Sequence, residues 1–560
     1  MLRLTDLKLP LDHDDAALPA AIVARLGIHA DELTGFTVAK RSYDARRRGA
    51  IVLIYSVDVE TAREADILQR LELDPEAAAT AEQGSGRIGP APDTAYRFVA
   101  RASDALPLRP LVIGMGPCGL FAALVLAQMG FRPIVLERGK AVRERTVDTF
   151  GLWRKKVLNP ESNVQFGEGG AGTFSDGKLY SQISDKRHHG RKVLTEFVAA
   201  GAPEEILFVS KPHIGTFRLV SMVEHMRATI ESLGGEIRFS SRVDDLLVES
   251  DGDGGRHVRG VTLADGEEIR SDHVVMALGH SARDTFAMLH ARGVFLEAKP
   301  FSIGLRIEHP QSLVDAARFG PQAGHPLLGA ADYKLVHHAR NGRSVYSFCM
   351  CPGGTVVAAA SEPGRVVTNG MSQYSRNERN ANAAIVVGIT PEDFLPYAPE
   401  GGPLAGIALQ RHWESNAFAL GGGEYEAPGQ LVGDLLAGRP STAFASVVPS
   451  YTPGVRLGDL SSALPGYAIT AIREALPAFD RQLRGFALHD AILTGVETRT
   501  SSPLRITRHA DGQSLNTRGL FPAGEGAGYA GGILSAGVDG IKAAESVAMS
   551  LVAAGHARAA

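Results

Sequence analysis

The chain has 560 residues, of which 44% are hydrophobic and 21% charged, a composition ordinary for a protein of two or three domains. Its formal net charge of −4 at neutral pH argues against a general attraction to nucleic acid or to an anionic membrane. Three cysteines in such a length argue against a disulfide framework and favour a reducing compartment.

Targeting signals are not evident in the sequence. The first residues carry acids and no apolar segment, so we expect no signal peptide. No apolar run approaches the roughly 20 residues that a membrane helix needs. We therefore expect a cytoplasmic protein that does not act at a membrane.

The first hundred residues predict a separate small unit. Alternating apolar runs predict strands, helical spacing predicts helices between them, and the resulting order βαββαβ is that of a ferredoxin-like fold. The strands are expected over 2–9, 36–43, 51–59 and 96–102, and the helices over 17–26 and 61–73. A loop is expected over 80–94. We place this domain at 1–102 and a linker at 103–109.

A dinucleotide-binding turn follows the linker. Gly114-x-Gly116-x-x-Gly119 lies between an apolar strand at 111–113 and an apolar helix pattern, and a second strand at 133–136 ends at Glu137. The glycines permit a tight turn, close approach of a pyrophosphate and close helix–strand packing. Glu137 stands near the offset of about 20 residues at which a carboxylate can accept a hydrogen bond from a ribose. The alternative is an ordinary tight βα turn.

A second glycine-rich turn near the C-terminus argues against a plain NAD-binding fold. Residues 519–528 form a short apolar strand that runs into Gly524-Glu525-Gly526, and Gly531-Gly532-Ile533 then opens a helical pattern. Together with the first glycine turn, this pattern resembles the glutathione-reductase-type FAD-binding superfamily, which implies a bound FAD whose reduced form is stabilised by the positive N-terminus of such a helix. An NAD-binding fold alone would not need this second turn.

The remaining segments complete an α/β fold class. We expect a Rossmann-like FAD-binding domain in two parts, 110–299 and 490–560, with an inserted β-rich substrate or cap domain at 300–489. Within the first part, a helix is expected over 216–233 and a turn over 251–255. Strands are expected over 236–239, 243–248, 258–263, 274–278, 344–350 and 355–359.

The stretch 167–179 is dense in glycine and ends in a polar cluster. Its backbone amides could close on a pyrophosphate or on a flavin edge. The alternative is a long surface loop. We favour cofactor contact because the stretch follows the second strand of the predicted FAD-binding domain.

Several motifs together resemble a known family. They are the glycine turn at 112–120, the stretch 167–179, and segments 211–216, 301–310, 348–354, 497–503 and 519–533. The family is that of bacterial uncharacterised FAD-dependent dehydrogenases, described as NAD(FAD)-utilising dehydrogenases. With Ala277-Leu278-Gly279, the chain also resembles the glutathione-reductase-type FAD-binding superfamily. There the acid at the position of Glu525 holds the ribityl chain, and it is often Asp.

The resemblance implies a non-covalently bound FAD that passes a hydride or an electron pair between substrates, with NAD(P)H as a transient donor. No dedicated NAD(P)H-binding domain is visible in the sequence, so the donor stays open, as do the substrate and the oligomeric state. The motifs and the resemblance assign FAD contacts to Gly114, Gly116, Pro117, Cys118, Gly119, Glu137, Arg138, Gly169, Gly170, Ala171, Gly172, Ser175, Asp176, Gly177, Lys178, Val243, Ala277, Leu278, Gly279, Gly524, Glu525, Gly531, Gly532 and Ile533.

Five residues are candidates for catalysis. Cys349 and Cys351 alternate on one face of a predicted strand and could act as a redox pair, or they could be small buried apolar side chains. Arg306 and His309 could bind an anionic substrate and move a proton, or form a strand-end ion pair. Arg499 could line the substrate face of the flavin. No convincing second pair of ligands accompanies the cysteines, so we expect no metal.

An alternative function rests on the N-terminal domain. Lys40-Arg41 and Arg46-Arg47-Arg48 form a basic strip, and a basic ferredoxin-like domain can bind RNA. A flavin-dependent RNA-modifying or RNA-binding protein is therefore the second hypothesis. The aromatic residues that such a sheet needs are sparse, so we expect a small-molecule substrate rather than nucleic acid.

Overall fold

The computed structural model describes residues 1–73, 86–103, 106–250 and 254–560. Parts of three predicted segments, the loop at 80–94, the linker at 103–109 and the turn at 251–255, lie outside the described residues.

The N-terminal unit is a four-stranded antiparallel sheet with strand order β2-β3-β1-β4. Apolar side chains alternate inward along the first and third strands, because successive residues of a strand point to opposite faces. The elements are β1 Leu2–Pro10, α1 Ala17–Leu26, β2 Leu33–Asp44, β3 Val52–Thr61, α2 Glu64–Leu73 and β4 Ile88–Pro90.

The prediction of a strand at 96–102 in the N-terminal sheet is wrong. Only Ala100–Ala102 (β5) is extended, and it pairs with Ala557–Ala559 (β25) rather than with the N-terminal sheet. Tyr96 and Phe98 instead pack around the Lys192 ammonium, so their alternation serves this contact. The fourth strand of the N-terminal sheet is Ile88–Pro90.

A five-stranded parallel sheet forms the centre of the second unit, with strand order β24-β12-β6-β7-β8. Most of its strands are fully buried, as expected when helices cover both faces of a parallel sheet. The strands are β6 Leu111–Ile113, β7 Ile134–Leu136, β8 Glu236–Arg238, β12 Val274–Met276 and β24 Leu520–Pro522. A three-stranded antiparallel sheet of β9 Val243–Ser250, β10 Arg256–Leu263 and β11 Glu268–Arg270 is inserted before β12.

Six helices accompany this sheet. They are α3 Pro117–Gln128, α4 Val142–Lys155, α5 His189–Ala199, α6 Thr216–Ser232, α7 Arg283–Ala291 and α12 Ile533–Ala553. Helix α3 is buried over nearly its whole length because α12 packs directly against it. Gly540 of α12 allows this close approach, since a Cβ atom there would lie 2.2 Å from the Cys118 carbonyl oxygen.

The third unit is built on a seven-stranded sheet with strand order β15-β16-β19-β14-β22-β20-β21. Its strands are β14 Phe301–Pro310, β15 Val336–His338, β16 Ser344–Cys351, β19 Asn380–Ile389, β20 Ala427–Leu431, β21 Val455–Leu457 and β22 Ile492–Glu497. Strand β22 pairs with β14 inside this sheet, so the sheet extends past the expected boundary at 489. The apolar segment after Asp490 extends this sheet rather than the parallel one.

Smaller elements surround the seven-stranded sheet. Two short ladders pair β13 Leu296–Ala298 with β23 Leu504–Ile506, and β17 Gly354–Ala358 with β18 Thr368–Ser372. The helices are α8 Gln311–Phe319, α9 Ala405–Leu420, α10 Val432–Ala437 and α11 Gly466–Gln482. Among the described residues, no helix is both long enough and apolar enough to cross a bilayer.

The N-terminal sheet contacts both other units. The Arg41 amide donates to the Phe208 carbonyl at 2.7 Å, the Ser210 amide donates to the Arg41 carbonyl, and the Arg41 guanidinium lies over the Phe208 ring. Tyr43 packs edge-on against Phe319 of α8. Part of the basic strip, and the edge of β2 beside it, is therefore used in contacts within the chain.

We expect Gly540→Ala to destabilise the protein, although alanine is normally the better helix former. The added methyl group overpacks the α3–α12 contact, at a cost of about 1–3 kcal/mol. The thermal midpoint should fall. Gly466→Ala is the matched control, because open space surrounds that helical glycine and its midpoint should stay or rise. An unchanged midpoint for Gly540→Ala would contradict the tight contact.

Candidate functional site

A cavity of about 280 Å³ lies between the carboxyl ends of the parallel strands and the seven-stranded sheet. Strands β6, β7 and β12 each end at its wall, at Gly114, Glu137 and Ala277, as in open α/β sheets that bind ligands at this edge. Every residue predicted to contact FAD lines it except Gly119, Gly169 and Gly524, which lie beside it.

The first glycine turn leaves no room for a side chain at Gly114 or Gly119. Gly114 has a left-handed backbone (φ +95°), and a Cβ atom on Gly119 would lie 1.9 Å from the Gly114 carbonyl oxygen. Gly116 faces Gly170 across the cavity wall, and a Cβ atom on Gly170 would lie 2.8 Å from the Gly116 Cα. Helix α3 begins at Pro117, so its first-turn N–H groups face the cavity, where an anion can accept from them.

A buried carboxylate connects three backbone segments at this turn. Glu137 accepts hydrogen bonds from the backbone amides of Met115 (2.8 Å), Gly139 (2.8 Å) and Gly167 (2.9 Å). A carboxylate has about four acceptor positions, so one remains for a ribose hydroxyl. Glu137 thus also positions the two glycine-rich segments.

A fully buried guanidinium completes this support. Arg145 of α4 donates to the carbonyl oxygens of Asn163 (2.8 Å), Val164 (2.7 Å) and Glu168 (2.6 Å). Burial lowers the pKa of Arg145 to about 10, while the charges of Glu137 and Glu168 raise it, so the group stays protonated at neutral pH. No motif in the sequence distinguished Arg145 from the other arginines.

The second glycine-rich turn and helix α12 line the other end of the cavity. Open space surrounds Gly531 and Gly532 ahead of the helix, so its N-terminal amides face the cavity. The Glu525 carboxyl lines the same wall and makes no hydrogen bond to another described residue. Burial raises the pKa of Glu525 to about 7, against the opposing charge of Lys299. A free carboxyl beside glycine turns matches the donor and acceptor needs of FAD, whose ribityl hydroxyls would bind it.

The two cysteines lie where the seven-stranded sheet meets the cavity. The predicted alternation ends at Phe348, because a bulge between Phe348 and Cys351 puts Cys349 in a left-handed conformation (φ +42°). Both cysteines nevertheless line the cavity, Cys349 exposed and Cys351 buried. Although Cys349 is open to the cavity, the surrounding chain keeps it poorly solvated, which raises its pKa to about 12 against the charges of Lys178 and Arg306, so it is a thiol at neutral pH.

Lys178 is the cation closest to these thiols along the glycine-rich stretch. Its ammonium lies 3.7 Å from Asp176, whose carboxylate is already held by Arg376, and it makes no hydrogen bond to a described residue. Burial lowers the pKa of Lys178, but the nearby Cys351 and Asp176 raise it, and the net shift is upward. The cavity wall therefore includes a protonated ammonium that has no hydrogen-bond acceptor in the described part of the chain.

Arg499 lines the cavity and is fixed from behind. Its guanidinium donates to both oxygens of Glu414 at 3.1 Å and to the hydroxyls of Ser281 (3.1 Å) and Ser361 (2.6 Å). His280 lies beside this pair. Burial and the positive charges of Arg499 and Arg283 lower its pKa to about 3, so the ring is neutral at physiological pH.

The other two candidates do not reach the cavity. Arg306 is fully buried and forms a two-bond ion pair with Glu497, and it also donates to the Cys349 carbonyl at 3.0 Å. His309 lies further along β14, buried, with Nε2 at 2.7 Å from the Phe486 carbonyl. Among the described residues, no cluster of side chains could hold a metal ion.

Some wall residues were not expected from the sequence. The walls facing the cysteines include Phe348, Asn369, Gly370 and Glu497, and the wall beside Arg499 includes Ser281. Asn369 and Gly370 come from β18, a short strand without any distinguishing pattern. Phe348 and Glu497 stand in the motifs at 348–354 and 497–503, but those motifs pointed to the cysteines and to Arg499.

Three family models match parts of the chain. Residues 300–500 match "FAD-dependent protein, C-terminal domain-like", and residues 172–290 match "Flavin containing amine oxidoreductase". Residues 1–60 match a domain of unknown function (DUF8436). An uncharacterised protein of Clostridium beijerinckii is 45% identical over 547 residues, which cover 98% of each chain.

The chain belongs to the same family as this relative, that of uncharacterised FAD-dependent proteins. It has an α/β FAD-binding fold and is an FAD-dependent oxidoreductase whose substrate is unknown.

Solved structures show weaker likeness. Glycine oxidase from Bacillus cereus is 10% identical (79% of this chain, 95% of that chain, TM-score 0.33). A flavoprotein/dehydrogenase from Cytophaga hutchinsonii is 13% identical (80% and 79%, TM-score 0.33). THI4 from Thermovibrio ammonificans is 18% identical, and the match covers 34% of this chain and 66% of that chain (TM-score 0.24). At these values the likeness says nothing about the reaction.

The Glu525 carboxyl should make the stability of the cofactor-free protein depend on pH. Its pKa is raised to about 7 in the folded state, above about 4.3 in an unfolded chain. Its contribution to stability is therefore fully present below about pH 4 and is lost as the pH rises through about 7. We expect Glu525→Gln to gain stability over the parent chain between about pH 5 and pH 8. Denaturant midpoints measured across this range test the prediction.

The exposed Glu400 gives the control for this measurement. Glu400→Gln should follow the parent chain at every pH. If the stability of Glu525→Gln changed with pH in parallel with that of the parent chain, the Glu525 carboxyl would not be shielded from water in the cavity wall.

Proposed function

We propose that this chain is an oxidoreductase of the glutathione-reductase type, which binds FAD non-covalently in an extended pose. One observation carries the proposal: a single cavity joins the first glycine turn, the Glu525 turn, the start of α12 and the seven-stranded sheet. The adenosine end would lie near Glu137, Arg138 and Val243. The flavin end would lie near the start of α12.

Three architectural features support this assignment. The antiparallel order β2-β3-β1-β4 is that expected for a ferredoxin-like N-terminal domain. The five-stranded parallel sheet corresponds to a Rossmann-like FAD-binding domain. The seven-stranded sheet is inserted between its strands β12 and β24 and would act as the substrate domain.

When bound, FAD supplies two-electron redox chemistry, taking a hydride or an electron pair from one substrate and passing it to another. The protein contributes charge and position. The Lys178 ammonium and the N-terminus of α12 stabilise negative charge at the flavin end. Arg499, fixed by Glu414, presents its guanidinium to a small-molecule substrate. Cys349 and Cys351 take part in the reaction in their thiol form. NADH or NADPH is the first electron donor to test.

Cofactor binding and the donor are tested by one experiment. Protein purified without denaturant should carry a flavin spectrum, and the flavin should pass a filter after denaturation because no covalent bond holds it. Anaerobic addition of NADPH, and separately of NADH, should bleach the spectrum. A flavin retained on the denatured chain would contradict non-covalent binding, and a spectrum that both nucleotides leave oxidised would contradict a nicotinamide donor.

Lys178→Met should make the bound flavin harder to reduce. Removing the ammonium takes away a positive charge beside the negative charge that reduction creates, so the midpoint potential should fall by about 30 mV or more. That shift corresponds to a tenfold change in a two-electron equilibrium. Spectroelectrochemistry of the purified variant gives the potential.

Lys178→Arg is the matched variant, since it keeps the charge and should keep most of the potential. An unchanged potential in Lys178→Met, with FAD still bound, would show that Lys178 does not act at the flavin end.

A further inference from the structure

A second groove lies behind the FAD cavity, at the surface formed by α7 and α9. It has a volume of about 780 Å³ and shares none of its lining residues with the cavity. Three arginines line it, Arg283, Arg365 and Arg411, and no carboxylate does among its described lining residues. The proposed function gives this groove no role.

The arginines at the groove outnumber the carboxylates that pair with them. Glu362 lies within 3.0 Å of nitrogens of all three arginines. Glu414 pairs with Arg283, but it also pairs with Arg499 on the cavity side. Four guanidinium groups thus share two carboxylates. The charges of its partners, against the opposing effect of burial, lower the pKa of Glu362 to about 2, so both acids are already ionised at neutral pH.

The arginines also keep hydrogen-bond donors to spare. The Arg283 side chain is 1% exposed, and its buried Nε–H has no acceptor among the described residues. Arg365 lies 3.0 Å from Glu362 through Nε, and its terminal amino groups make no hydrogen bond to a described residue. Arg411 uses Nε and one terminal nitrogen on Glu362. Unfilled guanidinium donors match the oxygens of a carboxylate or a phosphate.

The rest of the groove is apolar and aromatic. Tyr397 and His412 pack against each other with ring centroids 5.0 Å apart, and Leu404, Ala405 and Ile407 continue the wall. Such a wall can also take a small organic body attached to the anion.

We propose that this groove binds the oxyanion group of a small molecule, a phosphate or a carboxylate, on Arg283, Arg365 and Arg411. The ligand is distinct from FAD and from the substrate in the cavity. Because Glu414 holds both Arg283 and Arg499, an anion that engages Arg283 acts on the same carboxylate that fixes the cavity arginine. The groove is thereby placed to couple ligand binding to the oxidoreductase site.

Calorimetric titration of the FAD-loaded full-length protein tests this site, since bound FAD fills the other phosphate-binding cavity. The probes are pyrophosphate and succinate. We expect saturable binding of at least one of them, weakened about tenfold by Arg365→Gln, which removes charge-assisted hydrogen bonds. Tighter binding of pyrophosphate would identify a phosphate ligand, and tighter binding of succinate a carboxylate ligand.

Arg340→Gln is the control, because Arg340 is a 91% exposed arginine of the same unit that lies outside the groove. It should bind the probe as the parent chain does. The proposal is overturned if neither probe saturates up to about 10 mM, or if Arg365→Gln retains its flavin and binds the probe with parental affinity.

Discussion

Two buried charges, the Glu137 carboxylate and the Arg145 guanidinium, hold the backbone on which the cavity depends. Glu137 accepts from amides in three separate segments, and Arg145 donates to carbonyls of the segment that faces the first glycine turn. Glycine-rich backbone loses much conformational freedom on folding and has no side chains to hold it. Charge-assisted hydrogen bonds from fixed side chains supply the order that the glycines cannot.

A second set of buried charges joins the seven-stranded sheet to the parallel sheet. Glu414, on α9, accepts from Arg283 of the parallel-sheet unit and from Arg499, which follows β22. Removing one partner of such a buried set would leave an uncompensated charge, which costs about 3–5 kcal/mol. The position of Arg499 in the cavity wall therefore depends on the contact between the two units as well as on strand β22.

The sequence predicted the parts of the site that depend on local backbone requirements. Gly114, Gly119 and Gly524 stand in turns whose geometry only glycine satisfies, so their spacing carries the information. The helices expected at 17–26 and 216–233 lie within one residue of those found. The groups that support these turns could not be predicted, because Arg145, Glu414 and Arg283 act through contacts between segments far apart in the chain.

The strand expected at 96–102 was judged from local pattern, but strand pairing is decided by partners distant in sequence. For the same reason the sequence did not show that residues 492–497 pair within the seven-stranded sheet. The alternation of the cysteines failed at a bulge, and a single sequence gives no sign of the residue at which one occurs.

The two chain crossings between the parallel sheet and the seven-stranded sheet lie side by side. β13 and β23 form an antiparallel ladder just before and just after the crossings, and Lys299 donates to Ser501 across them. Two strands joined in this way resist twisting and sliding but can bend together as a ribbon. The two crossings therefore form one connection, which ties the larger sheet to the parallel-sheet unit at this edge in addition to the buried Glu414 contacts.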